Sequence, residues 1–271
     1  MRVGVVGAGG KMGREVCRSV AAQSDLELVA AVDPLHAGTE VGGLLGQDVG
    51  ELVVAGGLSA LKAAGAQVVV DFTRVDVARA TLAYCAAEGM HAVVGTTGFT
   101  EDDLDELRRR FGGPGEGSSN CILASNFAIG AVLMERFAEL AAPWFDGAEI
   151  VELHHQRKLD APSGTAMHTA ERITAARSAS GSGAFPPDQT ATSVVDGARG
   201  GAGPGGVRIH SVRLPGLVAH QEVIFGAVGQ SLTIRHDSYD RSSFMDGVVL
   251  AVRSVAGLPG VTLGIDSLLG L

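Results

Sequence analysis

Residues 152–166 read Glu-Leu-His-His-Gln-Arg-Lys-Leu-Asp-Ala-Pro-Ser-Gly-Thr-Ala. Two imidazoles (His154, His155), one ammonium (Lys158), a carboxylate (Asp160) and a Pro-Ser-Gly-Thr helix start fall within fifteen residues. Histidine and lysine both exchange protons and both attract anions. The turn Ser163-Gly164-Thr165 can present backbone N–H groups at a helix N-terminus, which is an anion site. Together these groups describe a pocket for a small, multiply charged acid with proton donors at hand. Asp160 is read as fixing the turn or capping the following helix rather than titrating. One histidine in a polar loop would be unremarkable; the density of the cluster is what points to chemistry.

A second chemical signature opens the chain. The apolar run 1–6 is followed by Gly7-Ala8-Gly9-Gly10-Lys11-Met12-Gly13, and residues 14–22 read as a helix. The loop satisfies both Gly-x-x-Gly-x-x-Gly and Gly-x-Gly-x-x-x-Gly, the latter a variant of the dinucleotide fingerprint. Gly7 permits the tight turn, Gly9 or Gly10 lets a pyrophosphate approach the backbone, and Gly13 lets the helix lie close on the strand. The next apolar run, 26–32, ends in Asp33, twenty residues after Gly13. That is where an acidic side chain binds the adenosine ribose hydroxyls.

The elements needed to position these groups follow a βαβ pattern up to about residue 126. Residues 67–71 form a buried strand leading into Asp71-Phe72-Thr73, and 75–88 form a helix capped by Gly89. Residues 91–94 form a strand ending in Gly95-Thr96-Thr97-Gly98. Thr100 caps a further helix with Asp102 and Asp103 in its first turn. A glycine-rich loop at 112–119 precedes the strand 121–124 and the turn Ser125-Asn126-Phe127. Ligands bind at the carboxyl ends of strands in an open parallel sheet, so these three turns border the expected cofactor site. Beyond 127 the pattern changes. Helices are expected at 129–141, 165–179 and 243–256, and strands at 148–153, 207–213, 223–225 and 231–236. The expected fold class is α/β: an N-terminal Rossmann-type dinucleotide-binding domain plus a C-terminal α+β domain with a mixed sheet. The first domain is placed at 1–126, completed by 237–271, and the substrate-binding and oligomerisation domain at 127–236.

Composition narrows the function classes. The chain has 271 residues, 46% hydrophobic and 19% charged, with formal net charge -9. That charge argues against a nucleic-acid partner. No apolar run reaches the ~18–20 residues that span a bilayer, and the first strand lacks the features of a cleavable signal. Cys17, Cys85 and Cys121 have neither metal nor redox spacing, which fits a reducing cytoplasm. No metal site is expected. His154 and His155 are adjacent on a strand end and so point to opposite faces. No His-Glu-x-x-His is present and no third ligand is suitably spaced, so a zinc hydrolase is disfavoured.

The glycine loop, Asp71-Phe72-Thr73, Gly95-Thr96-Thr97-Gly98, Asn126-Phe127 and Glu152-x-His154-His155-x-x-Lys158-x-Asp160-Ala-Pro-Ser163-Gly164-Thr165 run in this order over the whole chain. The set resembles the 4-hydroxy-tetrahydrodipicolinate reductase (dihydrodipicolinate reductase) family of lysine biosynthesis. The resemblance implies NADH- or NADPH-dependent reduction of a cyclic dicarboxylate to tetrahydrodipicolinate, by a homotetramer joined through its C-terminal sheet. It implies that His154 donates or accepts a proton and that Lys158 is the catalytic acid. His155, Ser163, Gly164 and Thr165 would bind substrate. Gly7, Ala8, Gly9, Gly10, Lys11, Met12, Asp33, Phe72, Thr73, Gly95, Thr96, Thr97, Ser125, Asn126 and Phe127 would contact the cofactor. Ser125 stands where relatives often have Ala or Pro. Pro34 follows Asp33 where NADPH-preferring relatives can carry Arg, so NADH is the expected preference. An aspartate- or homoserine-type dehydrogenase would share the glycine loop without needing His-His-x-x-Lys. A non-catalytic NAD-sensing protein would not need Lys158.

Overall fold

A computed structural model describes residues 1–112 and 119–271. Residues 113–118, within the loop expected at 112–119, lie outside the described residues. The chain runs through β1 (Arg2–Val6), α1 (Lys11–Ala21), β2 (Glu27–Val32), α2 (Val41–Leu45), α3 (Ser59–Ala63), β3 (Val68–Asp71) and α4 (Val75–Glu88). It continues through β4 (His91–Val94), α5 (Glu101–Arg110), β5 (Cys121–Leu123), α6 (Ile129–Ala141), β6 (Gly147–His155) and α7 (Gly164–Ala179). It closes with β7 (Gly201–Ala202), β8 (Arg208–Leu214), β9 (Ala219–Ala227), β10 (Gln230–Ser238), α8 (Met245–Ser254) and β11 (Val261–Leu263). Two compact units result: Met1–Ala128 with Arg241–Leu271, and Ile129–Asp240. These bounds differ by a few residues from the division read in the sequence, because β10 runs on to Ser238.

The first unit is built on a parallel sheet in the order β11-β5-β4-β3-β1-β2. Its central strands are near-continuous apolar runs because both faces are covered. Val3, Val68, Val69, Val70, Ala92 and Val93 are fully buried. Gly89 ends α4 in the left-handed conformation, φ 68°, where a Cβ would be strained. Thr100 and Asp103 form a reciprocal capping box at the start of α5. Helix α1 begins at Lys11, three residues earlier than the sequence suggests. Gly10 takes the cap position in extended backbone, and Gly13 is carried inside the helix despite its poor propensity. Strand β11 was not foreseen. It pairs in parallel with β5 at the sheet edge, while α8 packs against α1.

The second unit carries a mixed sheet, β10-β9-β6-β8-β7, in which only β6 and β8 run parallel. Along β6 the residues alternate with period two. Ala148, Ile150 and Glu152 are buried; Ala148 and Ile150 belong to a core with Ile173, Val223 and Phe225. Helix α6 packs on β10 and α7 on β6. Strand β9 is longer than its apolar centre at 223–225. His220 and Gln221 are buried at its start and partnered there by Asp237 and Thr169.

Candidate functional site

Each unit holds its own cluster. In the first, β1 turns sharply at Gly7, φ 76°. Gly7 and Ala8 N–H both donate to the Val32 carbonyl, at 2.8 and 3.2 Å, and Gly10 N–H donates to the Gly7 carbonyl at 2.9 Å. A Cβ on Gly13 would lie 2.0 Å from the Gly7 oxygen, so the absent side chain sets how closely α1 approaches the turn. Lys11 and Met12 open α1, where N–H groups have no intrahelical acceptor. Asp33 is buried beside the loop; its Oδ2 accepts from Gly9 N–H at 3.0 Å and its Oδ1 from Leu35 N–H at 3.0 Å. Burial pushes the Asp33 carboxyl up, but His36 and the two backbone donors outweigh it and hold it below the ordinary carboxylate range.

The three downstream turns meet one another. Thr96 Oγ1 donates to the Thr73 carbonyl at 2.9 Å. The Phe72 and Phe127 rings lie 5.4 Å apart between centroids. A Cβ on Gly95 would strike the Phe72 ring. Asp71 is buried and takes both the N–H and the hydroxyl of Thr73, at 2.7 and 2.6 Å. Asn126 Oδ1 accepts from Ala128 N–H at 2.9 Å. Thr97 and Ser125 are exposed at the same carboxyl edge of the sheet. The set fits a dinucleotide: a tight glycine turn into a helix N-terminus, an ionised carboxylate after β2, and a polar edge of turns beyond it.

His36 was missed by the sequence reading. Its Nδ1 lies 3.2 Å from Asp33 Oδ1, within ion-pair range but without hydrogen-bond geometry. A Cβ on Gly9 would lie 2.1 Å from the same nitrogen. Gly9 therefore makes room for His36 as well as for a ligand, and no local pattern announces that.

In the second unit the histidine motif leaves β6 and enters α7. Ser163 Oγ accepts from Ala166 N–H at 3.2 Å and so caps α7. The cap is Ser163 and not Asp160. Asp160 instead grips Lys158, with Nζ 2.8 Å from each carboxylate oxygen. That pairing holds the Asp160 carboxyl below its usual range. Gly164 and Thr165 are the first two residues of α7, so their N–H groups have no intrahelical acceptor and can meet a carboxylate. The Thr165 carbonyl accepts from Thr169 Oγ1 at 2.8 Å, and Thr169 in turn accepts from Gln221 Nε2 at 2.7 Å. His155 is exposed, whereas His154 is mostly covered.

Behind these residues sits Glu152, fully buried. Arg213 clamps it with two bonds of 2.8 and 2.7 Å, Ser163 N–H reaches it at 3.2 Å, and His154 Nδ1 lies 2.5 Å from its Oε2. Burial raises the Glu152 carboxyl, but the bonds from Arg213 and His154 more than offset this and leave it below the ordinary range. Burial pushes the His154 imidazole down from its ordinary value, against the pull of Glu152. Neither the role of Glu152 nor that of Arg213 was read from sequence. The signal for Glu152 is its position two residues before His154 on a strand, hence on the same face. Among the described residues no cluster of His, Cys, Asp or Glu could hold a metal ion, and no helix is long and apolar enough to cross a membrane.

Two family models cover the chain: Dihydrodipicolinate reductase, N-terminus, matches residues 1–127, and Dihydrodipicolinate reductase, C-terminus, matches residues 130–269. A 4-hydroxy-tetrahydrodipicolinate reductase from Nocardia farcinica is 50% identical over 271 residues, spanning 100% of this chain and 99% of that protein. One from Corynebacterium aurimucosum is 49% identical over the same coverage. Among solved structures, a dipicolinate-bound dihydrodipicolinate reductase from Paenisporosarcina sp. aligns with a TM-score of 0.83 at 38% identity, covering 98% of each chain.

Proposed function

The chain belongs to the dihydrodipicolinate reductase family, and from that premise we propose how its residues divide the family's reaction. That reaction is the NAD(P)H-dependent reduction of 4-hydroxy-tetrahydrodipicolinate to tetrahydrodipicolinate on the route to diaminopimelate and lysine, and the chain catalyses it. The observation that carries the division of labour is the second unit's cluster. It offers two free helix amides, a lysine and a histidine to a small dicarboxylate.

A nicotinamide dinucleotide, when bound, supplies a hydride to C4 of the substrate ring, which loses one water and gains one further proton. Gly7 to Met12 and the α1 amides hold the pyrophosphate. Asp33 takes the adenosine ribose hydroxyls. Phe72, Thr73, Gly95 to Thr97 and Ser125 to Phe127 line the nicotinamide end. Gly164 and Thr165 N–H groups, with the Thr165 hydroxyl, bind one carboxylate, and His155 adds a donor. The Ser163 hydroxyl can still donate while its oxygen caps α7. Negative charge develops towards the ring nitrogen or C3, the carbon next to the one that takes the hydride. Lys158 supplies the proton there, an effect worth ~10²–10⁴-fold.

The cofactor preference follows from Asp33 and its neighbours. An ionised Asp33 repels a 2′-phosphate, and Pro34 and Leu35 bring no compensating charge; Lys11 offsets the repulsion only in part. Both cofactors are expected to work, with NADH preferred. A coupled assay on freshly generated condensation product of pyruvate and aspartate semialdehyde, run with each cofactor, tests activity and preference together. No turnover with either cofactor would sink the assignment. A kcat/KM for NADPH more than tenfold above that for NADH would reject the preference.

The assembly is read as a homotetramer joined through β8, β9 and β10. Helices α6 and α7 cover one face of the second sheet. Val151, Leu153, Val212 and Ile224 alternate onto the opposite face and are only half-buried, and such a face tends to be covered by another subunit. Light scattering at micromolar concentration should give four chains. A fully active monomer would overturn this reading. The cysteines are free and buried, which supports residence in the reducing cytoplasm.

A further inference from the structure

We propose that Glu152 is the positioning residue of this site: its buried carboxylate, anchored by Arg213, fixes His154 as the Nδ1–H tautomer and leaves Nε2 as the nitrogen that meets the substrate. The proposal rests on the proton-transfer role that the family resemblance implies for His154 and specifies which nitrogen performs it. An ionised carboxylate only accepts hydrogen bonds. With Oε2 of Glu152 2.5 Å from Nδ1, that nitrogen must carry the proton in the neutral ring. Nε2 then holds the lone pair, and neutral His154 is an acceptor.

The carboxylate's bonding capacity is filled. Oε1 takes Arg213 Nη2 and Ser163 N–H, and Oε2 takes Arg213 Nη1 and His154 Nδ1. One fully buried group therefore ties together the end of β6, the cap of α7 and strand β8. Arg213 extends the tie by donating to the Asp160 carbonyl at 2.7 Å, and the Asp160 side chain holds Lys158. The imidazole, the ammonium and the helix amides are thus referenced to a single point. A buried ion pair is by itself weak support for stability; orienting a reacting histidine through its second nitrogen is the better-founded use. The charged groups acting on the ring are Glu152 on its own strand, Lys158 in the loop, and Arg213 on β8. Strand β9 places Ala219 opposite it.

The test begins on the resting enzyme. Nitrogen-15 NMR of the histidine rings, with His154 assigned through His154→Ala, should find the neutral ring protonated on Nδ1. A neutral ring protonated on Nε2 overturns the proposal. In Glu152→Gln the amide can present a donor to Nδ1. The Nε2–H tautomer should then gain and kcat should fall on the order of 10²–10⁴-fold, with far smaller changes in KM for substrate and for NADH. Losing the carboxylate also removes the group that raises the His154 pKa, so the acid limb of the kcat–pH profile should move to lower pH. A purely structural role would leave tautomer and limb in place. A folded Glu152→Gln with parental tautomer and kcat overturns the proposal. If that variant fails to fold around an unpaired arginine, Glu152→Gln/Arg213→Met removes the stranded charge and is read the same way. The tautomer is measured without substrate, so it decides the role of Glu152 even if the reaction assigned above fails. That separate failure shows as absence of turnover in the parent enzyme.

Discussion

Lys158→Met is expected to lower kcat by roughly 10²–10⁴-fold, the loss of one positioned proton donor. Its effect on substrate KM should be much smaller, because the α7 amides and Thr165, the proposed carboxylate site, are left in place. The substitution preserves the length of the stem and deletes only the ammonium. In the resting protein that ammonium is not loose: both Asp160 oxygens hold it at 2.8 Å, and Asp160 is largely exposed. An exposed pair of this kind adds little to stability, so the variant should fold normally and its rate can be read cleanly. His154→Ala should behave similarly if a proton passes through it. Thr165→Val keeps shape but removes one hydroxyl donor to a carboxylate. It should chiefly raise KM, by about ten- to a hundredfold for a charge-assisted bond of roughly 1.5–3 kcal/mol. NADH affinity, measured by fluorescence or calorimetry, should barely change in all three, since the proposed cofactor residues lie in the other unit. Near-normal kcat in Lys158→Met would reduce the lysine to an anchor. NADH binding weakened as much as turnover would move the motif to the cofactor site.

What the sequence made legible was local. The glycine loop, Asp33 and the Ser-Gly-Thr helix start are each defined by neighbours a few residues away, and φ, capping and strand alternation are short-range effects. Helix α4 spans the expected 75–88 for the same reason, with an apolar face and a glycine at its C-cap. Other features depend on partners far along the chain. Arg213 reaches Glu152 across 61 residues of sequence, and no spacing rule connects them. Three-residue β11 carries no periodicity and becomes a strand only by pairing with β5. The start of β9 was missed because His220 and Gln221 look solvated until Asp237 and Thr169 appear beside them. His36 faces the glycine loop only because Gly9 lacks a side chain. Asp160 is a candidate cap by residue type, yet Ser163 stands at the position from which a side chain reaches the Ala166 N–H.

Gly13→Ala should damage the first unit's glycine turn severely. The new Cβ would stand 2.0 Å from the Gly7 oxygen, 2.7 Å from the Gly7 carbon and 2.9 Å from the Ala8 Cα. All three are backbone atoms, so no side chain can swing aside. The Gly7 carbonyl also accepts from Gly10 N–H, and the Gly7 and Ala8 N–H groups are tied to Val32. Relieving the clash must therefore lift α1 from the turn or break those bonds. Gly95→Ala also meets an atom at 2.0 Å, but that atom belongs to the Phe72 ring, which can rotate, so its effect should be smaller. Overpacking typically costs 1–3 kcal/mol, and a backbone collision belongs at the upper end. If it falls on the bound geometry, about 3 kcal/mol is roughly a hundredfold in affinity. Calorimetry should show NADH Kd raised by about that factor, together with a lower Tm. Gly43→Ala is the matched control. Gly43 lies inside α2 and nothing stands within 4 Å of its Cβ, so the change should leave Kd unaltered and add a few tenths of a kcal/mol to stability, up to about 1. Parental NADH affinity in Gly13→Ala would mean that the dinucleotide does not depend on the close approach of α1 to the Gly7 turn, and the cofactor site would have to be placed elsewhere.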